Sequence, residues 1–365
     1  MPCVFSSSFR DPAECIIEVN SLEITDLYPS IESVTVQASR TQAITASLVL
    51  RAYRDEKGSW SVQDTETFLP WIPITIKAAF GTRTQETVFA GYIRDVQASY
   101  PNDMGETRVT VNCQDASLAL NREHIQKVWG TELVKTTDTL ILQEILSSYS
   151  LKPEIGNGAG LSDLLLYQNG TDISFLRRRA EANAYELIFY DTGVYFGPKR
   201  FTATAQETIL VYAGYDTHVS DCKITYDGHK PDAIQFTIAL PQGEGLIDKV
   251  VKSKLTTLGK TSTTAGALGL SDFVWRLKGQ EFSTEKEMEA LALQKAEDAS
   301  LKLRAEGKLN GTNYGHVLQI GLPVELDGVG SVYSGTYYVD EVNHSFTHSG
   351  YFQDFVLLRN AYGRS

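Results

Sequence analysis

Several features that would point to common functions are missing from this chain. It has only four cysteines, Cys3, Cys15, Cys113 and Cys222, and no two of them form a C-x-x-C pair. Such scattered cysteines predict reduced, mostly buried thiols rather than a disulfide framework or a zinc site. No apolar run approaches the roughly 18 residues that a membrane-spanning helix needs. The N-terminal stretch MPCVFSSSFRDPAECIIEV has no basic region followed by an apolar one, so we expect synthesis in the cytoplasm without a signal peptide.

Basic residues are in the minority. Lys and Arg total 33 against 45 Asp and Glu, which gives a formal net charge of −12 at pH 7. Nucleic-acid binding generally needs a positive surface, so this charge argues against it. We therefore expect no stable binding to nucleic acid or to membranes. An acidic surface would also let nucleic acid or acidic cargo pass without adhering to it.

Recognisable catalytic and cofactor motifs are absent as well. The chain contains no G-x-S-x-G elbow, H-E-x-x-H, Walker loop or Cys–His metal spacing. The glycine-rich stretch EIGNGAGLSD has Leu161 where a dinucleotide fingerprint needs its third glycine. His344 and His348 are the best metal candidates, but their segment alternates like a strand, which separates the two side chains by roughly 13 Å. We predict no enzymatic activity, no metal and no cofactor.

The first 120 residues show strand periodicity. In AITASLVLRAY the residues Ile44, Ala46, Leu48, Leu50 and Ala52 fall on one side, with mostly polar residues between them. IPITIKAAF, TVFAGYIRDVQASY and TRVTVNCQD repeat the pattern between turn-forming stretches. Several short strands at this spacing predict a barrel or a sandwich.

Helical periodicity follows in TTDTLILQEILSSYS. The four apolar residues that it places near one helical face are Leu140, Ile141, Ile145 and Tyr149.

A second helix is predicted in YQNGTDISFLRRRAEANAYELIFYDTGVYFG, with Thr171 or Asp172 as its N-cap. Arg178 projects away from its apolar face, Arg177 and Arg179 flank Arg178, and Glu181 is spaced to pair with Arg177 or Arg178. A hairpin follows, with its turn supplied by Asp191, Thr192 and Gly193.

Strand patterns return after residue 201 and are interrupted between about 246 and 311. The interruption begins as a Thr-, Ser- and Gly-rich stretch, which we interpret as a mobile loop. It contains four lysines: Lys249, Lys252, Lys254 and Lys260. A long helix is predicted in STEKEMEALALQKAEDASLKLRAEG, with a Thr284–Glu287 capping box, an Asp298–Lys302 pair and Gly307 as its stop.

The predicted fold class is α+β and mostly β. The predicted organisation is a first β domain at 1–120, an α/β insertion at 121–200, a second β domain split between 201–245 and 312–365, and a basic loop with a long helix at 246–311.

Two stretches resemble a known family. The arginine-containing segment quoted above is similar to the signature region of baseplate hub proteins of contractile tails. That family includes phage late control protein D, the hub part of VgrG and the hubs of extracellular contractile injection systems. The C-terminal GLPVELDGVGSVYSGTYYVDEVNHSFTHSGYFQDFVLLRN is similar to the closing region of the same family. Arg179 and Ala184 depart from the family's usual Leu and Gly, and Asn183 is expected to supply the left-handed end of the helix instead.

The resemblance implies a structural role. Family hubs are homotrimeric rings in which each subunit carries two tube-type β-barrels, and the ring adapts the hexameric inner tube to the trimeric spike around a central channel. The implied partners are further copies of the chain, a spike expected to be a separate protein, an inner tube or tube-initiator protein, and baseplate wedge proteins. The implied location is a phage virion or an injection particle.

Two basic segments are candidate subunit or partner interfaces. One is Arg178 with a flanking arginine, Arg177 or Arg179, and the other is the segment with the four lysines. The alternatives for these segments are a solvated helix face and a disordered linker. For the whole chain, the alternatives are a monomeric carbohydrate- or receptor-binding tail module and a cell-wall hydrolase.

Overall fold

A computed structural model of the protein describes residues 12–81, 84–158, 160–191, 193–212, 217–239, 245–277 and 285–364. Over these residues the chain is mostly β, as predicted. The strands are β1 Ala13–Val19, β2 Leu22–Glu23, β3 Ile31–Ser39, β4 Thr45–Arg51, β5 Pro73–Phe80, β6 Thr84–Ser99, β7 Arg108–Gln114, β8 Ile125–Trp129, β9 Lys152–Ile155, β10 Leu166–Gly170, β11 Glu186–Tyr190, β12 Gly193–Gly197, β13 Gln206–Leu210, β14 Val219–Tyr226, β15 Ala233–Ala239, β16 Leu246–Lys252, β17 Thr261–Ser262, β18 Val274–Leu277, β19 Leu303–Asn310, β20 Pro323–Asp327, β21 Gly335–Thr347, β22 Gly350–Arg359 and β23 Ala361–Tyr362. The α-helices are α1 Ser117–Leu120, α2 Asp138–Ser147, α3 Asp172–Glu181, α4 Glu285–Ser300 and α5 Gly311–Tyr314. No helix of the described ranges is long and apolar enough to cross a membrane.

One large sheet organises the chain. Its strand order is β14-β19-β22-β21-β3-β4-β7-β6-β5-β1-β2, with β20 added to β21 and β13 to β20. The link between the two ends of the sequence is β21, because Glu341–Thr347 pairs with Ser33–Ser39 of β3. The first β block and the last one are therefore continuous through hydrogen bonds.

Two apolar cores lie against this sheet. In β4, Ala46, Leu48 and Leu50 are buried and the residues between them are not, so the predicted two-residue period is confirmed. The first core gathers mainly residues from β1 and β3–β7, and the second gathers residues from β13, β14 and β19–β22. A third core holds α2, α3 and the small sheets of residues 121–200.

In α2 the buried residues include Ile141, Leu142, Ile145 and Leu146. The prediction was wrong for Leu140, which is 55% exposed, and for Tyr149, which lies beyond the end of the helix. The buried face of α2 is the one that packs in the third core.

The long helix is shorter than predicted. It ends at Ser300, and LRAEG, residues 303–307, becomes the start of β19, which pairs with β14 on one side and β22 on the other. Leu303 and Ala305 are fully buried at two-residue spacing, and this burial overrides local helix propensity. Gly307 is not a helix stop. A Cβ there would lie 2.6 Å from both the Asp221 carbonyl oxygen and Phe355 Cζ, so the position requires glycine for close strand packing.

The segment between 246 and 311 is also more ordered than predicted. Lys249 and Lys252 lie in β16, which pairs with β15, and β15 in turn pairs with β18. A fourth small core joins these strands to α4. The predicted boundary at 245/246 therefore divides a pair of hydrogen-bonded strands. Thr284, the predicted cap of α4, lies outside the described residues.

Candidate functional site

The signature segment folds into α3 and the β11–β12 hairpin, as predicted. Thr171 is the N-cap of α3, because its side-chain oxygen accepts a hydrogen bond from the Ser174 backbone N–H. The hairpin turn lies at Asp191, and Thr192 is outside the described residues.

A buried polar chain fixes the start of α3. Trp129 donates to Gln168, Gln168 donates to Asp172 at 2.7 Å, and Tyr149 donates to the other Asp172 oxygen at 2.8 Å. Burial, followed by the bond to Asp172, raises the pKa of Tyr149 to about 12. The Trp129 ring also stacks on Phe175, with centroids 6.2 Å apart. The helix is thus positioned by specific contacts on its inner side.

Arg179 is not part of a free basic surface. It is 7% exposed, and its Nε donates to Asp138 Oδ1 at 2.6 Å and its Nη2 to Oδ2 at 3.2 Å. Asp138 also accepts from the Asn183 side chain and from the backbone N–H of Leu161. Including Arg179 in a partner interface was therefore wrong, because its charge is used inside the subunit. The glycine-rich stretch is held by this same carboxylate.

Arg177 and Arg178 are the exposed arginines of α3. Neither forms the predicted ion pair with Glu181, and no carboxylate of the described part of the chain lies within ion-pair distance of either one. The Arg178 guanidinium lies 5.9 Å from the centre of the Phe175 ring. Two cations of α3 are therefore available to a partner.

The helix end also differs from expectation. Ala184, not Asn183, adopts the left-handed conformation, with φ of 55°. The Asn183 amide is engaged with Asp138 and with the Arg179 carbonyl oxygen. These two contacts fix Asn183, so the turn falls on the next residue.

The four lysines divide into two pairs. Lys249 contacts Glu285 and Glu289, which raise its pKa through hydrogen bonds, and Lys252 lies 2.5 Å from Asp272. Lys254 and Lys260 are exposed, and no ion pair involves them within the described residues. Only the second pair presents unmatched charge.

The stretch that carries Lys254 and Lys260 is not a free loop, because Arg359 and Asn360 bind it. Arg359 is fully buried, and its guanidinium donates to the carbonyl oxygens of Leu258, Tyr333, Ser334 and Gly363. Asn360 donates to the Thr256 carbonyl oxygen and accepts from the Leu258 N–H. Sequence reasoning missed this role, although both residues stand in the RN pair at the end of the closing motif.

A second buried polar cluster joins distant segments. Arg40, in the turn after β3, contacts Glu186 at 2.6 Å and Asp340 at 2.9 Å. The Tyr338 hydroxyl donates to Glu186, and burial together with this carboxylate raises its pKa well above the usual value. Lys199 contacts Glu297 and Asp298 of α4, each at 3.2 Å.

The predicted Asp298–Lys302 pair does not form. Lys302 instead contacts Asp232 at 2.7 Å, and both side chains are 2% exposed. Burial raises the Asp232 pKa, but hydrogen bonds from Lys302 and two backbone N–H groups outweigh it and lower that pKa. No local sequence signal marks such partners, because Arg40 lies 146 and 300 residues from Glu186 and Asp340, and Lys302 lies 70 from Asp232.

The large sheet turns a continuous polar face away from its two cores. One cross-strand row runs over eight strands, and we call the surface around it the polar face. From β6 to β14 the row consists of Tyr92, Gln114, Thr45, Gln37, Asn343, Asp354, Lys308 and Asp221. Tyr92, at the β6 end, packs against the third core. Four carboxylates and two lysines line its concave part: Asp221, Glu306, Glu341, Asp354, Lys223 and Lys308. Carboxylates therefore outnumber amines there.

The two candidate histidines lie in different environments. His344 is 2% exposed in β21, and its Nδ1 lies 2.8 Å from the Tyr351 hydroxyl, whereas His348 follows the end of that strand. Burial lowers the pKa of His344 to about 3. Over the described ranges, no group of three or more His, Cys, Asp or Glu residues could hold a metal ion.

The His344 pKa predicts a pH-dependent stability. Between pH 6.5 and about pH 3, the His344 imidazole is protonated in the unfolded state but neutral in the folded state. The free energy of unfolding therefore falls as the pH falls through this window. We expect His344 to contribute a loss of about 1.4 kcal/mol per pH unit. The measurement is urea unfolding of wild type and His344→Phe at pH 7.5, 6.5, 5.5 and 4.5. The difference between the two proteins should change with that slope below pH 6.5, and parallel curves would contradict the prediction.

A family model described as the Alg8 N-terminal domain matches residues 10–348. The chain belongs to this family. No curated protein matches the sequence.

Solved structures similar to this Alg8 N-terminal domain chain include tail proteins. The 43 kDa tail protein of prophage MuSo2 from Shewanella oneidensis aligns with 95% of this chain over 98% of its own length, at 13% identity and a TM-score of 0.70. A tail protein of Neisseria meningitidis aligns with 96% of the chain over 97% of its length, at 12% identity and a TM-score of 0.62.

A third similar structure is a type VI secretion component of Escherichia coli, described as structurally similar to two bacteriophage T4 tail proteins. It aligns with 95% of the chain over 78% of its length, at 10% identity and a TM-score of 0.57. The fold is that of phage tail proteins, so the predicted likeness to tail proteins is confirmed at the level of fold.

Proposed function

We propose that the chain is a structural baseplate hub of a contractile phage tail or contractile injection system, without enzymatic activity. The observation that carries the proposal is the full-length match to a tail protein, in which 95% of this chain corresponds to 98% of the other. In the proposed assembly three copies form a ring that adapts a hexameric inner tube to a trimeric spike. Baseplate wedge proteins dock around this ring in the virion or particle.

The arrangement of the large sheet supports this assembly. Its two parts, each against its own core, are proposed to be two tube-type barrels. A trimer would then present six related units to a hexameric tube. The shared strand pairing between β21 and β3 would hold the two units of one subunit in a fixed relation.

The polar face is the proposed wall of the central channel. Its cross-strand row is made mainly of amides, a hydroxyl and charged groups, and carboxylates outnumber amines in its concave part. Such a surface repels acidic cargo or DNA and offers little apolar area for adhesion. A trimer structure with this face on the outside would refute the assignment.

The proposed docking residues are Arg177 and Arg178 on α3, with Lys254 and Lys260 as a second candidate pair. What supports them is exposure without an ion pair, in a chain whose net charge is −12. Lys249 and Lys252 are weaker candidates, because carboxylates of the same subunit already contact them.

Charge reversal at one docking residue should separate assembly from folding. We expect Arg178→Glu to weaken assembly with partner proteins, because it replaces an unmatched cation with an anion, while the thermal midpoint of the subunit stays unchanged. Co-purification with the baseplate partners measures the first effect and thermal unfolding the second. The matched control is Lys57→Glu, a reversal at an exposed residue in the turn that follows β4, away from α3. Assembly at the wild-type level in Arg178→Glu would refute the assignment of Arg178 as a docking residue.

The experiment that tests the proposed function is native mass spectrometry of the purified chain, alone and mixed with its candidate spike. A homotrimer, or a complex with three copies of each protein, would support the ring adapter. A chain that remains monomeric with each candidate spike would overturn the trimeric adapter and favour a monomeric binding module.

A further inference from the structure

A cavity of about 330 Å³ lies where the three cores meet. Its walls come from the middle of β6, the tip of the β11–β12 hairpin and the segment between α5 and β20. The lining is mainly apolar and includes Val88, Phe89, Ile188, Leu318 and Ile320. Its volume lies within the range of small-molecule pockets, which are typically apolar with a few oriented polar groups.

His344 places a polar group in this lining. One ring nitrogen, Nδ1, is bonded to the Tyr351 hydroxyl at 2.8 Å. Among the described residues that hydroxyl has no other acceptor, so we infer that it donates to Nδ1, the arrangement that leaves no hydroxyl hydrogen unpaired. The ring hydrogen of the neutral imidazole then sits on Nε2. No group of the described chain accepts from Nε2, so this N–H donor is left for a molecule in the cavity.

The mouth of the cavity disfavours an anion. Arg200 is present, but its Nε donates to the Gly321 carbonyl oxygen at 2.9 Å and its Nη1 lies 3.7 Å from Glu154. The Tyr190 hydroxyl also donates a hydrogen bond to Glu154. Asp191 adds a second carboxylate to the lining. A cation would meet the N–H of His344 at the other end. An uncharged molecule with a hydrogen-bond acceptor fits both ends.

We propose that this cavity binds a small, uncharged, mainly apolar molecule whose carbonyl or ether oxygen accepts a hydrogen bond from Nε2 of His344. The proposal rests on the geometry of one subunit and is independent of assembly into a ring. Binding of this molecule requires neither a transported cargo nor a docked protein.

Two probes of similar shape test the acceptor requirement. Acetophenone carries a carbonyl oxygen and ethylbenzene does not, so we expect acetophenone to bind the full chain about fivefold to tenfold more tightly. Saturation-transfer NMR titrations measure both affinities. Equal affinities, or binding of neither probe, would overturn the proposal.

A filling variant tests the location. Ala90 lines the cavity, and Ala90→Leu is expected to abolish binding of both probes. The control is Ala43→Leu, the same substitution at a half-buried alanine that lines a different cleft, and it should leave both affinities unchanged. Binding that survives Ala90→Leu would place the probe elsewhere and refute the assignment.

A direct readout of the histidine needs no substitution. In protein labelled with ¹⁵N-histidine, His344 should show the neutral form protonated at Nε2. Acetophenone should shift that nitrogen resonance and ethylbenzene should shift it less. Protonation at Nδ1, or a resonance that acetophenone leaves in place, would contradict the proposed hydrogen bond.

Discussion

Replacing Arg179 with leucine is expected to lower the free energy of unfolding by about 3 to 5 kcal/mol, because it leaves the buried Asp138 carboxylate without its cation. Asp138 is 2% exposed, and two guanidinium nitrogens contact it. The remaining amide donors, from Asn183 and Leu161, carry no charge. Urea unfolding monitored by tryptophan fluorescence measures the loss, because Trp129 belongs to the same core.

Two further variants isolate the ion pair. Arg178→Leu removes an exposed arginine from the same helix and should change stability by no more than about 0.5 kcal/mol. The double variant Arg179→Leu with Asp138→Asn removes both charges and keeps an acceptor for the Leu161 N–H, so it should regain most of the loss. A single variant as stable as wild type would show that the pair contributes nothing.

Arg359→Leu is expected to have the largest effect, a loss above about 4 kcal/mol, because it removes a donor from four carbonyl oxygens. Among the described residues, only the Tyr333 oxygen keeps another donor, the Tyr337 hydroxyl. These oxygens belong to Leu258, Tyr333, Ser334 and Gly363, and Arg359 itself is fully buried. Losing the Leu258 contact should also release the stretch around residues 256–263 from the sheet. Hydrogen exchange of the amides of Leu258 and Thr263 measures this release, and urea unfolding measures the stability.

The control for Arg359 is Arg304→Leu on the adjacent strand. The Arg304 side chain is 41% exposed and contacts Glu306 on its own strand, so its loss should cost little. Arg359→Lys should behave more like Arg359→Leu than like wild type, because one ammonium group cannot reach carbonyl oxygens in four directions. Unchanged exchange at Thr263 in Arg359→Leu would show that Asn360 alone holds this stretch.

Local pattern predicted the elements whose stability is set by local chemistry. Alternation in β4 reflects burial of every second residue, and the short side chain of Thr171 caps α3 whatever lies around it. The likeness to tail proteins could also be predicted from the sequence, because it rests on two continuous stretches of residues.

The candidate site was harder to predict, because a side chain's availability depends on distant partners. The three consecutive arginines look alike in the sequence, yet Arg179 is buried on Asp138, 41 residues away, while Arg177 and Arg178 are exposed. Lys302 could be expected to pair with Asp298, four residues away, but it binds Asp232. In each case the long-range contact prevails because a buried charge must find a partner wherever the fold places one.

The sequence by itself determined the mostly β class, the strands of the first 120 residues, and the capped helix with its hairpin, because periodicity and turn residues act over a few positions. Tertiary structure alone decided that LRAEG, residues 303–307, is a strand, since two neighbouring strands bury its alternate residues and pair both of its edges. It also decided that Arg359 holds the lysine-rich stretch and that His344 lines a cavity. These outcomes depend on contacts between residues far apart in the chain, which no local pattern records.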